Sequence, residues 1–505
     1  MELELNRTHL AGYDAVLDTT VFQEETLETI VPDASPDILR LVDTQGKILM
    51  KSKEASDGRV TLTGTARLTV LYLPDGGTGP CRLDVNIPFT IPVEDRRVKA
   101  GCQVVAVPRA ASADARAVNP RKVLARVDIA VCVKVFATSA QAICSGVTAG
   151  EGTVEQLLEN CRPYCISAVQ EKPFSFADDL SIPVGRPAAE ELLGRRVELT
   201  CHDSKLIGNK LIFKGDAAVQ LLYRAAGGSL DAADFTLPFS QITEVTGVGE
   251  EGVAAIDMAV SAADFALGGD GRTVSVNLSL LAQAVVREER SIELLADAYS
   301  TCCAVRSERT LFDYQVRQNE GTGRQMVREI IESGLQIKSV ADARCMVGRT
   351  GQTREGNGVR LTAEIEVVAV CFTEDDSCCA ISRRLEVSCT VDAPEDCACL
   401  FSCQCGALTA TPTADGVEVR FPVDFPFLCL RGAQTTVVRD LAVEETGEEG
   451  GEQRPSIVLR VLGEGERLWD VAKRYGTTTG DIIRANELES EQPGGGTLLL
   501  IPRKR

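Results

Sequence analysis

Residues that commonly carry catalysis are scarce in this chain of 505 residues. Its two histidines, His9 and His202, stand in unrelated sequence contexts, which argues against a histidine-dependent triad or general base. The segment from Gly247 to Gly252 reads GVGEEG and fits the GxGxxG pattern by its letters. Two glutamates there would repel a pyrophosphate and no βαβ pattern surrounds the segment, so we interpret it as a β-turn loop.

Carboxylate pairs offer another route to catalysis. Asp178-Asp179 and Asp375-Asp376 are adjacent in sequence and are most simply interpreted as solvated turns. A glycoside hydrolase would need two buried carboxylates that face each other across a cleft. No Walker A sequence is present either. We therefore expect no catalytic residue and no cofactor.

The nineteen cysteines are unevenly distributed, and ten of them lie between positions 345 and 429. The tightest group is a CxC-x3-CxC pattern, formed by Cys397, Cys399, Cys403 and Cys405. Zinc sites favour CxxC spacing, and no histidine lies near this group. Because alternate residues of a strand share a face, we interpret the group as part of a strand and expect no metal site. The thiols are expected to be reduced and to pack as small apolar side chains.

The charge balance excludes several classes of partner. The chain has 53 basic and 73 acidic residues, which gives a net charge of −20. Nucleic-acid binding needs clustered Lys and Arg, and anionic membrane surfaces attract basic segments, so we expect neither partner. No apolar run approaches the length of a membrane span. The first residues, MELELN, lack the features of a secretory signal, so we expect a cytoplasmic location in the cell that makes the protein.

Three landmarks in the first part of the chain recur 151 residues later. They are a Pro-x-x-x-Pro segment, a Gly-to-Tyr strand and an alternating apolar run. Pro32 and Pro36 recur as Pro183 and Pro187, Gly64 and Tyr72 recur as Gly215 and Tyr223, and the run 123–135 recurs as 274–286. Three landmarks at one offset indicate a repeated domain, and a period this long is typical of tandem domains.

A third copy is more divergent. Residues 361–371 match the Gly-to-Tyr strand at an offset of 299, with Ala363 in place of Gly64 and Cys371 in place of Tyr72. An alternating apolar run at 417–427 supplies its later strand. The prolines are absent, and we predict a helix over residues 324–332 in their place.

Alternation of apolar and polar residues dominates each copy and predicts half-buried antiparallel strands. We place the first β domain at residues 1–145 and a connector at 146–169, with a short helix over 154–159 capped by Thr153 and Gln156. The second and third domains span 170–300 and 301–443. Residues 444–455 are rich in Gly and Glu and are predicted to form a flexible linker.

The last segment, residues 456–505, has a different pattern. Apolar strands at 457–462 and 498–501 enclose a helix in which Leu468, Val471, Ala472 and Tyr475 share one face. Gly476 suits the end of that helix, and Asn486 suits a left-handed end of a second short helix. The predicted fold class is therefore mainly β, with three tandem antiparallel β domains followed by a small βααβ domain.

This last segment resembles a LysM domain, a family that usually binds N-acetylglucosamine polymers such as peptidoglycan. The family's sugar-binding loop usually reads Gly-Asp-Thr, whereas this chain has Gly465, Glu466 and Arg467. We therefore expect the module to bind a protein in preference to a glycan. The candidate contact residues are Gly465, Glu466, Arg467, Trp469, Lys473, Arg474, Arg484 and Asn486. Core packing is the alternative role for Trp469, and a solvated helix face is the alternative for Lys473 and Arg474.

The repeats, which open with Pro32-Asp-Ala-Ser-Pro36-Asp-Ile, together with the LysM-like end, resemble the SPOCS-domain spore-coat proteins of the SipL type. The resemblance implies a non-enzymatic scaffold made in the mother cell and placed at the forespore surface. Its LysM-like domain would bind the basement-layer morphogenetic ATPase, and other coat proteins would be further partners. Oxidation could later cross-link the clustered thiols. The alternative is a peptidoglycan-binding cell-wall protein or an accessory of a cell-wall hydrolase.

Overall fold

The computed structural model describes residues 3–76, 79–149, 154–225, 228–443, 457–490 and 492–502. Within these residues the chain is mainly β and its sheets are antiparallel, which confirms the predicted fold class. The predicted linker at 444–455 and the capping residue Thr153 lie outside the described residues. No helix in the described part of the chain is long and apolar enough to cross a membrane.

The first domain is a sandwich of two sheets. Its described strands are β1 (Leu3–Ile30), β2 (Ile38–Ser56), β3 (Arg59–Pro74), β4 (Cys81–Glu94), β5 (Gln103–Asn119) and β6 (Lys122–Ala149). β2, β3 and β4 form one sheet. β1, β6 and β5 form the other, as one half of a six-stranded sheet that continues into the second domain. Alternate residues of β3 and β6 point inward and form one buried core, as the period of two predicts.

The second domain repeats this arrangement with interrupted outer strands. Its described strands are β7 (Val154–Cys161), β8 (Tyr164–Ser181), β9 (Ala189–Ile207), β10 (Lys210–Ala225), β11 (Leu230–Glu244), β12 (Val253–Leu267), β13 (Thr273–Glu289) and β14 (Ile292–Ser300). β7 and β8 together span the positions of β1, 151 residues later, and β13 with β14 span those of β6. The offset predicted from sequence is therefore the offset of the strands themselves.

The predicted connector helix at 154–159 is wrong. These residues form β7, which pairs with β14 from Val154 opposite Ser300 to Cys161 opposite Ile292. The described parts of the predicted connector, 146–149 and 154–169, consist mainly of the end of β6, the whole of β7 and the start of β8. Because β7 pairs with one distant strand, alternate residues have their backbone N–H and C=O groups hydrogen-bonded to it. These bonds outweigh the few that a local helix cap would supply.

The third domain consists of β15 (Val305–Glu332), β16 (Ile337–Glu355), β17 (Gly358–Thr373), β18 (Cys378–Asp392), β19 (Cys397–Phe401), β20 (Gln404–Cys405), β21 (Thr409–Thr413) and β22 (Gly416–Val443). The helix predicted over 324–332 is wrong, because these residues end β15 and pair with β22. Within residues 324–332, the buried side chains are those of Val327 and Ile331. A spacing of four fits one face of a helix and one face of a strand equally well.

A phenylalanine ring opposite each repeated glycine leaves no room for a side chain at the glycine position. A Cβ added to Gly64 would lie 2.5 Å from Cζ of Phe89, its neighbour across the strands, and 2.3 Å from the Leu49 carbonyl oxygen. Gly215 meets Phe239 in the same way. In the third domain Ala363 lies opposite Val387, so the added methyl group is matched by a smaller partner.

The repeated prolines and tyrosines meet through a hydrogen bond. The hydroxyl of Tyr72 donates to the Pro36 carbonyl oxygen at 3.2 Å, and Tyr223 donates to Pro187 at the same distance. Arg121 braces the same turn by donating to the carbonyl oxygens of Val31, Pro32 and Ser35. Its counterpart Arg272 donates to Pro183 and Arg186. The sequence analysis did not single out these arginines, although they also recur at 151.

The three domains meet at one buried cluster. Leu71, Leu222 and Val370, which occupy matching positions in the three copies, share this cluster. Two polar contacts beside it also use matching positions. Asp43 accepts two hydrogen bonds of 2.7 Å from Arg344, and Asp342 forms an ion pair with Arg196 at 3.3 Å. Domain one thus meets domain three, and domain three meets domain two, through matching positions.

The ends of the long outer strands converge in a second cluster, away from the first. We define the arms as residues 3–14 with 138–149, 154–161 with 292–300, and 305–316 with 433–443. Cys144, Leu295 and Val438, again matching positions, are buried together where the arms meet. Each arm carries a register shift next to this position. The tandem domains therefore form one closed assembly with shared cores.

The C-terminal domain has the predicted strand–helix–helix–strand order, with β23 (Ile457–Val461), α1 (Leu468–Tyr475), α2 (Thr479–Asn486) and β24 (Leu498–Pro502). Gly476 ends α1 with a left-handed φ of 62°. The predicted left-handed end at Asn486 is wrong by one residue, because Glu487 adopts that conformation. Thr478 caps the start of α2, because its hydroxyl accepts a hydrogen bond from the Asp481 backbone N–H at 3.0 Å.

Candidate partner-binding site

The loop before α1 is braced from within. Gly465 has a φ of 76°, which favours glycine. Both carboxylate oxygens of Glu466 are engaged, one by Arg460 at 2.7 Å and the other by the Gly463 backbone N–H at 3.1 Å. Arg467 pairs with Asp470 at 3.1 Å while its side chain stays 57% exposed. Glu466 therefore shapes the loop, and Arg467 is the charge that the loop presents.

One face of α1 is already occupied by the arm of the second domain. The indole N–H of Trp469 donates to Asp297 at 2.9 Å, and Lys473 Nζ contacts both oxygens of that carboxylate at 2.7 and 2.8 Å. Arg309 adds an ion pair at 2.5 Å. Asp297 is only 4% exposed. Two of the predicted partner-binding residues, Trp469 and Lys473, thus lie in an intramolecular contact.

The charge state of Asp297 suits this role. Burial would raise the pKa of the carboxyl group, but hydrogen bonds from Lys473, Trp469 and Arg309 outweigh burial and hold the pKa below its ordinary value. The carboxylate is therefore ionised at neutral pH. A buried anion with three donors is stable, whereas the loss of any partner would leave a charge unpaired.

Tyr299 completes the contact. Its hydroxyl donates to the Thr477 carbonyl oxygen at 2.8 Å, just beyond α1, and its ring meets Trp469 edge-on at 4.9 Å between centroids. Burial raises the pKa of Tyr299. The ring shares a buried cluster with Leu468, Val471 and other core residues of the C-terminal domain. The second domain thus contributes to the core of the C-terminal domain.

The remaining predicted residues fall into two groups. Arg474 and Arg484 are exposed by 65% and 79%, and each pairs within its own domain, with Glu466 and Asp481 respectively. Asn486 has a structural role instead. Its amide nitrogen donates to the Ile482 and Leu500 carbonyl oxygens, and its oxygen accepts from the Leu500 N–H at 2.7 Å. Arg467, Arg474 and Arg484 are therefore the predicted cations that remain accessible.

The sequence analysis missed an apolar surface on the other side of the domain. β23 pairs with β24 so that Leu459 faces Leu500 and Val461 faces Leu498. The outward residues Ile457, Leu459, Val461 and Leu498 are between 56% and 66% exposed. We call this group the outer sheet face. A contiguous exposed apolar surface indicates an interaction site. The apolar residues at alternate positions 457, 459 and 461, on the face opposite Val458 and Arg460, could have revealed it.

The residues considered for catalysis remain apart. His9 lies on β1 and His202 on β9. Residues 247–252 form a loop between β11 and β12, as predicted, and its Gly249 N–H donates to Glu288 at 2.6 Å. Asp375 and Asp376 lie in a turn, but the turn predicted at Asp178 and Asp179 is wrong because both lie in β8. Among the described residues, no three His, Cys, Asp or Glu side chains are grouped to hold a metal.

Comparisons with known proteins agree with this architecture. Residues 37–117 and 189–267 match the SipL SPOCS domain family, and residues 463–502 match the LysM domain family. The two SPOCS matches begin at the Pro-rich turns and run to β5 and β12 of the first two domains. No curated protein and no solved structure matches the chain.

Proposed function

Because this chain is a SPOCS-domain protein of the SipL type that ends in a LysM domain, we propose that it is a non-enzymatic scaffold in endospore coat assembly. The observation that carries the proposal is the combination of repeated SPOCS domains with a LysM domain in one chain. SPOCS and LysM domains are binding domains, and the combination is typical of proteins associated with the spore coat. The scaffold acts at the forespore surface, on the mother-cell side.

We further propose that the LysM domain binds a protein, the basement-layer morphogenetic ATPase of the coat. Two features support a protein partner. The loop that binds sugars in this family is occupied here by the internal contacts of Glu466 and by the exposed cation of Arg467. The outer sheet face offers apolar side chains, which suit a complementary protein surface.

The face of α1 that carries Trp469 and Lys473 is held by the arm of the second domain. A partner that binds without opening this contact must use another surface, and the outer sheet face is the apolar one. Leu459, which is 66% exposed, is the residue of choice for a test. Arg484, the exposed cation that was predicted as a contact on α2, tests the alternative surface in the same assay.

The direct experiment measures binding of the purified chain to the morphogenetic ATPase by interferometry, with the Leu459→Glu and Arg484→Ala variants. We expect Leu459→Glu to weaken binding at least tenfold, since a buried unpaired charge is costly, and Arg484→Ala to change it by less than threefold. Equal binding by wild-type and Leu459→Glu chains would refute the proposed surface. A fluorescent fusion that stays dispersed during sporulation, or a deletion strain with a normally attached coat, would refute the scaffold function.

The LysM match itself favours one alternative, which is peptidoglycan binding. Sedimentation with sheared peptidoglycan separates the two functions. We expect no co-sedimentation of the full chain at micromolar concentration. Co-sedimentation with peptidoglycan would favour a peptidoglycan-binding cell-wall protein. Release of soluble muropeptides by the purified chain would favour a role in cell-wall hydrolysis.

A further inference from the structure

The third domain differs from the other two in its fifth strand. The first domain has one continuous strand there, β5, and the second has β12. In the third domain the corresponding segment is divided into β19, β20 and β21, all paired with β22. Of the CxC-x3-CxC group, Cys397, Cys399 and Cys405 lie in strands as predicted, whereas Cys403 lies in the break between β19 and β20.

One cysteine of the divided strand faces a cysteine of its neighbour. Cys399 on β19 lies directly opposite Cys429 on β22. Both are buried, with exposures of 6% and 0%. Both side chains belong to the core cluster of the third domain. The matching pair in the first domain is Val104 and Val135, which also face each other. Two thiols therefore replace two apolar side chains at a site of close contact.

A second thiol pair joins the two sheets. Cys405 on β20 and Cys345 on β16 belong to opposite sheets and pack against the same core cluster. The neighbouring Cys345 thiol raises the pKa of Cys405. The matching positions in the first domain are Ala110 and Gly46. There a Cβ added to Gly46 would lie 3.1 Å from the Ala110 Cβ. The first domain thus shows independently that side chains at these two positions are in contact across the sandwich.

We propose that the third domain contains two intramolecular disulfide-forming sites, Cys399 with Cys429 and Cys345 with Cys405, that close on exposure to a low-molecular-weight disulfide. A protein thiolate attacks one sulfur of the small disulfide, forms a mixed disulfide and releases one small thiol. The paired thiol then loses its proton, attacks the mixed disulfide and releases the second small thiol. Each closure thus consumes one small disulfide and yields one protein disulfide and two small thiols.

The two links act on the interrupted strand of the third domain. β19 and β20 are short, and the pair at 399 and 429 ties β19 to the continuous strand β22. The pair at 345 and 405 ties β20 to the opposite sheet. A link between residues far apart in sequence restricts the unfolded chain and stabilises the folded one. Oxidation would therefore fix β19 and β20 covalently to their neighbours, where the divided strand lacks continuous backbone pairing.

The chemistry predicts slow closure at neutral pH. Burial, followed by the neighbouring Cys429 thiol, raises the pKa of Cys399 to about 12. Only the thiolate attacks a disulfide, so the reduced pairs persist in a reducing compartment and react faster as the pH rises. Closure thus requires prolonged exposure to an oxidising environment.

The test uses the full-length reduced protein incubated with excess oxidised glutathione at pH 8.5. Free thiols are then alkylated and linked peptides are identified by mass spectrometry without reduction. We expect the two proposed links within single chains, and a rise of the melting temperature of roughly 5 °C. Free thiols at all four positions, or links from these cysteines to other residues or other chains, would overturn the proposal.

The first domain shows which residue can replace each cysteine. Cys429→Val introduces the residue type found at the matching position, Val135, and Cys405→Ala introduces the one found at Ala110. Each variant should lose one link and keep the other, with unchanged melting of the reduced protein within about 2 °C. If the remaining cysteine of the altered pair formed a disulfide with a different cysteine, that result would also contradict the pairing. The peptide map of the wild-type protein stands independently of how well either variant folds.

Discussion

The arms of the first and second domains are built at matching positions, yet only the arm of the second contacts α1 through a buried anion. Asp297 and Tyr299 occupy the positions of Gly146 and Thr148, 151 residues earlier. The strands, their pairing and the register shift beside this position are the same in both arms. A repeated backbone therefore gives the shape of the arm, while two side chains decide what the arm binds.

The third arm sharpens the comparison. Its matching positions hold Asp440 and Ala442, so an acidic residue is present without the tyrosine. Asp440 is exposed, whereas Asp297 is buried beneath α1. A carboxylate alone therefore does not define the contact, which needs the aromatic partner and the donors from α1.

The largest effect is expected from removing the buried anion. Asp297→Ala leaves Lys473 and the Trp469 N–H without their acceptor, and we expect the contact between α1 and the arm to weaken by about 3–5 kcal/mol. Trp469 is the chain's single tryptophan, so its fluorescence should shift to the red. Asp440→Ala is the control and should leave the emission unchanged. Unshifted emission in Asp297→Ala would show that the contact does not depend on this carboxylate.

A second prediction compares the first and third domains at the repeated glycine. Gly64→Ala should lower the free energy of unfolding by about 1–3 kcal/mol, because the added methyl group overlaps Phe89 and a backbone oxygen. Gly432→Ala, where an added Cβ meets nothing within 4 Å, is the control. Urea unfolding measures both.

The third domain suggests how Gly64→Ala can be rescued. Combining it with Phe89→Val reproduces the pair Ala363 and Val387. We expect the two substitutions together to be less destabilising than the sum of their separate effects. Strict additivity would mean that the ring of Phe89 is not what requires the glycine.

A smaller effect is expected from acid. The pKa of Asp297 is depressed below its ordinary value of 3.8, so the contact is at full strength above that value and weakens as the pH falls through the lower pKa of the docked state. Trp469 fluorescence should therefore change below about pH 4. The Asp297→Asn variant should lack this step. A step of the same midpoint in that variant would assign the titration to another group.

The smallest effect is expected at the repeated tyrosines. Tyr72→Phe and Tyr223→Phe each remove one hydrogen bond of 3.2 Å to a proline carbonyl oxygen, and each should lower stability by about 1 kcal/mol. The two losses should be equal, since the geometry is the same in both copies. Unequal losses in urea unfolding would show that the repeats differ in how they anchor the proline turn.

Much of the architecture could be predicted from the sequence because the chain repeats itself. The alternation of apolar residues predicted the strands, and the offset of 151 proved to be the spacing of whole strands. The LysM order of elements and the end of α1 at Gly476 were also correct. Each of these features depends on residues that are close in sequence or that recur at a fixed interval.

The errors share one cause. The helices predicted over 154–159 and 324–332 are parts of β7 and β15. Both segments contain apolar residues four apart, a spacing that one face of a helix and one face of a strand share. Each segment is fixed as a strand by pairing with a partner far away in the sequence. Local patterns are weak where tertiary pairing supplies the backbone hydrogen bonds.

The sequence by itself determined the number of repeated domains, their strand pattern and the identity of the C-terminal domain. Only the tertiary structure decided that Leu71, Leu222 and Val370 share one buried cluster, and that Trp469 and Lys473 face Asp297. The physical reason is that periodicity shows which face of a strand or helix is buried, but not which distant surface covers it. That choice depends on the shapes and charges that meet when the whole chain has folded.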